Sequence, residues 1–129
     1  MRMLLMVLGI VLAGSVAAAD SDRETQIAQA LTAYADGQSL DERNARTAAF
    51  ALAGQLFTQA ALAGDANAEL WANAGTAALQ AEQLGAAILA FRRALVVDPD
   101  HPRARRNLCL LYTSPSPRDA TLSRMPSSA

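Results

Sequence analysis

Only one histidine and one cysteine occur in the 129 residues, so acid–base, metal and thiol chemistry have little to draw on. His101 lies in the segment Asp98-Pro99-Asp100-His101-Pro102. A structural metal ion needs about four fixed ligands, and a general base needs a proton donor within hydrogen-bond reach. The segment offers too few of the first and no nucleophile for the second. With prolines on both sides, His101 reads as a capping residue in a turn between helices. Cys109 has no partner in the chain for a disulfide. No glycine-rich phosphate loop, nucleophile elbow or cluster of metal ligands occurs elsewhere. The expectation is a protein that is not an enzyme, with no catalytic residue, no metal and no cofactor.

What remains is a scaffold for binding, and the composition says from what it is built. Hydrophobic residues make up 52% of the chain but aromatics only 5%, because alanine carries the count. Closely packed helices tolerate that composition, whereas strands want β-branched and aromatic residues. All eleven basic residues are arginine, the net charge is −1 and the pI is near 5.7. That balance gives no bulk attraction for nucleic acid.

The two ends stand apart from the middle. Arg2, the apolar run MLLMVLGIVLAG and the small residues Ala17–Ala19 read as a signal peptide over residues 1–19. The apolar run is shorter than the roughly 20 residues that span a bilayer, so a cleaved leader is expected over an anchor helix. Either outcome places the domain in the periplasm or cell envelope. At the other end, Cys109–Ala129 resembles a translated sequencing adaptor, with Ala120–Leu122 where a sample index would sit. Residues 109–129 are therefore expected to be a non-native, disordered tail. Native sequence beyond Leu108 is expected to be missing. The remaining domain, 20–108, carries eight arginines against eleven acids.

Within that domain a period emerges. Ala53, Phe57 and Ala60 recur as Ala87, Phe91 and Ala94, and Asn73 recurs as Asn107, each 34 residues later. Thirty-four is the tetratricopeptide period. Leu70, Trp71, Ala74 and Ala78 make an apolar stripe at helical spacing, and Leu84, Ala87, Ile88, Phe91 and Leu95 make a second. Gly75 and Ala87 are small where two backbones must approach. Pro99 stops the second helix and Pro102 suits the first turn of another. Upstream, Ile27, Leu31 and Tyr34 mark a helix expected to end at Gly37 as a C-cap. Ser39–Glu42 reads as the capping box of the next helix, which runs toward Gly64. The expected class is all-α: antiparallel helical hairpins, four helices and the start of a fifth at Pro102.

The segment AELWANAGTAALQAEQLGAAILAFRRALVVDP resembles one nearly complete tetratricopeptide (TPR) repeat over residues 68–101, followed by a truncated repeat from 102. Trp71, Gly75, Ala87, Phe91, Ala94 and Pro99 fall on six of its eight signature positions, while Ala74 and Ala78 stand where leucine and tyrosine are usual. The resemblance implies a short TPR-like solenoid whose first helices line a concave groove. It implies that Asn73 hydrogen-bonds a partner peptide, with Asn107 repeating it one unit on. Glu69, Thr76 and Leu79 on the same helix would flank that ligand.

Leader, repeat block and the stretch GAAILAFRRALVVDPDHPRARRNL together are similar to bacterial aerotolerance proteins of the BatE type. That likeness implies an exported scaffold for protein–protein interaction. Its partner would be a protein or peptide, with any membrane association running through the part missing beyond Leu108. Two other readings remain open: a periplasmic TPR adaptor in envelope or pilus assembly, and the targeting domain of a truncated envelope enzyme.

Overall fold

In the computed structural model the described residues are 2–113, with side chains described from Ala19 onward. The residues that mark the leader, Ala19 excepted, therefore lie outside the described side chains. Residues 114–129 of the expected tail lie outside the described residues altogether. Five helices follow one another: α1 (Arg2–Ser39), α2 (Arg43–Leu62), α3 (Ala68–Gln80), α4 (Leu84–Val97) and α5 (Pro102–Thr113). Among the described residues there is no strand, and no helix is long and apolar enough to cross a membrane. The chain is all-α, and each helix packs on the next in sequence.

The helix ends follow local chemistry, with two differences from expectation. Gly37 does not cap α1, and Ser39 does not open α2. The helix α1 runs on through Ser39, whose hydroxyl donates to the Asp36 carbonyl at 2.9 Å. Glu42 is the N-cap of α2, accepting from the N–H of Asn44 at 2.9 Å and of Ala45 at 2.6 Å. A carboxylate at that end satisfies two orphan donors and meets the positive pole of the helix. Those backbone donors hold the Glu42 carboxyl below its usual range. At the far end of α2, the Arg23 guanidinium reaches across from α1. It donates to the carbonyls of Ala60 at 2.9 Å and Asp65 at 3.0 Å, where a cation is favoured.

Asn67 caps α3 through the N–H of Leu70. The same helix ends with Glu82 N–H on the Leu79 carbonyl and Gln83 N–H on that of Ala78, the Schellman arrangement. Its left-handed residue is Glu82, at φ 62°, where glycine is usual. Arg43 grips this strained residue, its Nη2 donating to both carboxylate oxygens at 2.8 and 2.7 Å. The contact ties the start of α2 to the end of α3.

Two aromatic rings lie on bare backbone. A Cβ added to Gly75 would stand 2.7 Å from the Phe91 ring, and one added to Gly37 would stand 2.9 Å from the Phe50 ring. These contacts set α1–α2 and α3–α4 as antiparallel hairpins. Phe91 is fully buried, and Trp71 belongs to the same core. The register of Gly37 opposite Phe50 places Ala30 opposite Phe57, seven residues along on each helix, and both are buried.

Ala30 thus stands to Phe57 as Gly75 stands to Phe91. The second helices of the two hairpins are displaced by 34 residues, but the first helices by 45. Eleven extra residues lengthen the first hairpin: α1 runs four residues past the position matching the end of α3, and α2 begins seven before the position matching Leu84. Phe50 and Gly37 form an extra layer inside that extension, and Tyr34 adds an edge-to-face contact 5.0 Å from the Phe50 ring.

Large residues expected in the core lie at its rim instead. Leu31 is 56% exposed and Leu84 is 55% exposed, while Ala30, Ala33, Ala87 and Ala90 are buried. Closely spaced helices leave room at the seam only for small side chains, and the leucines straddle its edges. The expected junction at Leu108 falls inside α5, which continues through Cys109–Thr113 with Leu108 and Leu111 partly buried against the core.

Gly75→Ala is expected to lower stability by about 1–2 kcal/mol, as overpacking against a buried ring outweighs the gain in helix propensity. Gly85 in α4 has open space around it, so Gly85→Ala should stabilise by about 0.5 kcal/mol. Urea-unfolding midpoints of the two variants should move in opposite directions.

Candidate functional site

The first helices of the two hairpins and α5 line one side of the molecule. Leu31 and Tyr34 of α1, Asn73 and Thr76 of α3 and Arg103 of α5 surround a cavity of about 170 Å³ with Phe57 at its base. Tyr34 also borders a larger hollow of about 640 Å³ beneath the extended α1–α2 turn, with Phe50, Leu79 and Arg46 in its wall. The two depressions are neighbours, with Tyr34 in the wall of both.

In the displaced register Leu31 matches Thr76 and Tyr34 matches Leu79, 45 residues apart in each case. Each depression is thus lined by one such pair of equivalent positions on successive helices. The smaller cavity is mainly apolar, with a few polar groups, as peptide and small-ligand sites are, whereas Gln38, Asp41, Arg46, Thr47, Gln80 and Glu82 make the larger hollow polar.

The five residues picked from the sequence divide here. Asn73 and Thr76 line the smaller cavity, and Leu79 lines the adjoining hollow. The Thr76 hydroxyl donates to the Ala72 carbonyl at 2.9 Å. Asn73 is half-buried, and its amide makes no hydrogen bond among the described residues. Asn107 is half-buried on α5 and lines neither depression. Glu69 is engaged elsewhere.

Glu69 forms a clasp between α3 and α5. The His101 ring is buried at 3% exposure, and its Nδ1 accepts from the Ala104 N–H at 3.3 Å. Nε2 is thereby left to donate to Glu69 Oε1 at 2.9 Å. The histidine thus caps α5 with one nitrogen and holds α3 with the other. Arg103 pairs with Glu69 Oε2. Glu69 and Arg103 are themselves 34 residues apart, so the repeat spacing sets them side by side on neighbouring helices.

Arg103 also lines the smaller cavity, and its 34-residue offset from Glu69 is the sequence signal that places it. Other arginines of α4 and α5 have partners of their own. Arg93 lies over the Trp71 ring at 4.8 Å, Arg92 bonds the Tyr112 hydroxyl, and Arg105 meets Asp100 at 3.3 Å.

Comparison with protein-family models, with curated proteins and with solved structures finds no match to this chain.

The hydrogen bond from His101, ahead of the charge of Arg103, holds the Glu69 carboxyl below its usual range. A lowered folded-state value contributes stability above the unfolded carboxylate pKa of about 4.3 and loses it as pH falls through the folded one. Glu69→Gln should therefore be less stable than the parent near neutral pH. The gap should narrow on acidification below about pH 4, as read from urea unfolding at both pH values.

Proposed function

We propose that this chain is an exported protein–protein interaction scaffold of the bacterial cell envelope, built on TPR repeats in the manner of the BatE-type proteins. Residues 20–108 would grip an extended peptide segment of a partner protein along the neighbouring depressions of α1, α3 and α5. The observation that carries this reading is the placement of Asn73 and Thr76 in a cavity walled by Tyr34 and Leu31, with the unpaired Asn73 amide available to a peptide backbone. The 34-residue displacement, the ring of Phe91 on Gly75 and the turn closed by Pro99 support the repeat assignment. Export rests on the leader sequence, Arg2 through Ala19.

The scaffold needs no chemistry of its own: extended peptide would exchange water for the apolar wall and for amide hydrogen bonds. A net hydrogen bond is worth about 1 kcal/mol, so Asn73→Ala should weaken binding roughly fivefold. Peptides selected from a random display library on the purified chain supply the probe. Gln59→Ala, across the molecule between α2 and α4, should leave their affinity unchanged. Failure to select any peptide, or selected peptides indifferent to Asn73→Ala and Tyr34→Ala alike, would reject the groove.

Export has its own check. Residues 1–40 fused to a phosphatase that folds only outside the cytoplasm should give active enzyme in bacteria, and Leu5→Arg with Leu8→Arg should abolish it. An inactive parent fusion counts against the envelope location.

A further inference from the structure

The charge on this fold is not spread evenly, and its two ends are complementary. From Asp20 to Ser39, helix α1 carries Asp20, Asp22, Glu24 and Asp36 against Arg23 alone, a net of −3. Arg23 is moreover turned inward onto the end of α2. On the outer side of the first hairpin, an open apolar cleft of about 550 Å³ runs between α1 and α2, with Ala28, Ala33, Leu52 and Leu56 in its wall. Leu52 is half exposed there. Asp22 and Asp36 fall on the same helical stripe as Thr25, Gln29 and Thr32 of the cleft wall, one at each end. Neither side-chain carboxylate has a partner among the described residues.

The opposite end has the reverse character. Between Arg92 and Arg106, five arginines stand against two aspartates, a net of +3 with histidine neutral. Arg92, Arg105 and Arg106 are exposed, and the Arg106 guanidinium has no partner among the described residues. Beside them Val96, at 83% exposure, is the most exposed of the large apolar side chains.

We propose that copies of this chain associate head to tail, the basic α4–α5 end of one seating on the acidic α1–α2 cleft of the next. The two surfaces differ, so the contact is heterologous and builds rings or open chains rather than a closed twofold pair. Opposite charge at the rim steers and orients the encounter, and the cleft takes the apolar side chains. The cleft shares no lining residue with the depressions that hold Asn73 and Leu79, so the inference is argued apart from peptide binding. Leu110 and Tyr112 are also exposed at this end. They belong to the stretch resembling adaptor, so the charge substitutions that test the proposal are confined to residues before it.

Sedimentation of the full chain over a range of concentrations is the test. At about 0.05 M salt the weight-average mass should climb with concentration, and at about 0.5 M salt, where the Debye length is only a few ångströms, it should return to that of the monomer. Asp22→Arg with Asp36→Arg should abolish association, and so should Arg92→Glu with Arg106→Glu. Mixing the two charge-reversed proteins should restore a complex, because a reversed cleft then meets a reversed basic end. Asn73→Ala should leave association intact.

A monomer at every concentration in low salt overturns the proposal. So does association indifferent to salt, or a mixture of the reversed proteins that stays monomeric. Loss of association in Asn73→Ala would likewise overturn it, by assigning self-contact to the groove. Circular dichroism of each variant confirms that the helices are retained, as expected for substitutions of exposed side chains.

Discussion

A phenylalanine ring resting on the bare backbone of a neighbouring helix is the contact on which this fold depends. Phe91 lies over Gly75, and Phe50 over Gly37, each at a distance that any Cβ would violate. The chain has three phenylalanines and one tryptophan with which to fill a helical core. Each must therefore reach as far into its neighbour as sterics permit, and alanines must let the helix axes come close around it. Ala30, Ala53, Ala60, Ala87 and Ala94 are all fully buried. Dispersion at short range, summed over such contacts, replaces the bulk that leucine and tyrosine would otherwise supply.

Close seams have a second consequence, because they displace the larger apolar side chains to the rims. Leu31 is turned out to the wall of the smaller cavity, and Tyr34, still packed on Phe50, borders both depressions. Packing economy and the relief of the surface are in this way two sides of one constraint. The eleven additional residues of the first hairpin act in the same direction. They add the Phe50–Gly37 layer to the core and project a turn over the end of α3, beneath which the larger hollow lies.

Polar contacts fix the helices relative to one another at the ends of these seams. Arg23 closes α2 from α1, Arg43 holds the strained Glu82 after α3, and Glu69 clasps His101 and Arg103 of α5. None needs to be strong, since exposed ion pairs contribute little. Their value lies in direction: each satisfies a helix terminus or a backbone strain that packing alone leaves open. Arg103, which lines the smaller cavity, is held by Glu69.

All-α architecture, the α3–α4 hairpin, the start of α5 at Pro102 and the turn role of His101 were legible in the sequence. Periodicity, proline and glycine are local signals, and the spacing of 34 residues is read from residue types alone. Asn73, Thr76 and Leu79 were legible as one face of a helix for the same reason.

Tertiary structure decided the rest. The first hairpin hid its register behind an insertion, since a period search at one displacement cannot find helices offset by 34 on one side and 45 on the other. Gly37 looked like a helix stop because a glycine's permissive backbone and its missing side chain are indistinguishable in a string of letters. Only the ring of Phe50 across the seam shows which property is used. Glu69 likewise carried a ligand's chemistry in the sequence, and became a structural clasp because His101, 32 residues away, turned toward it.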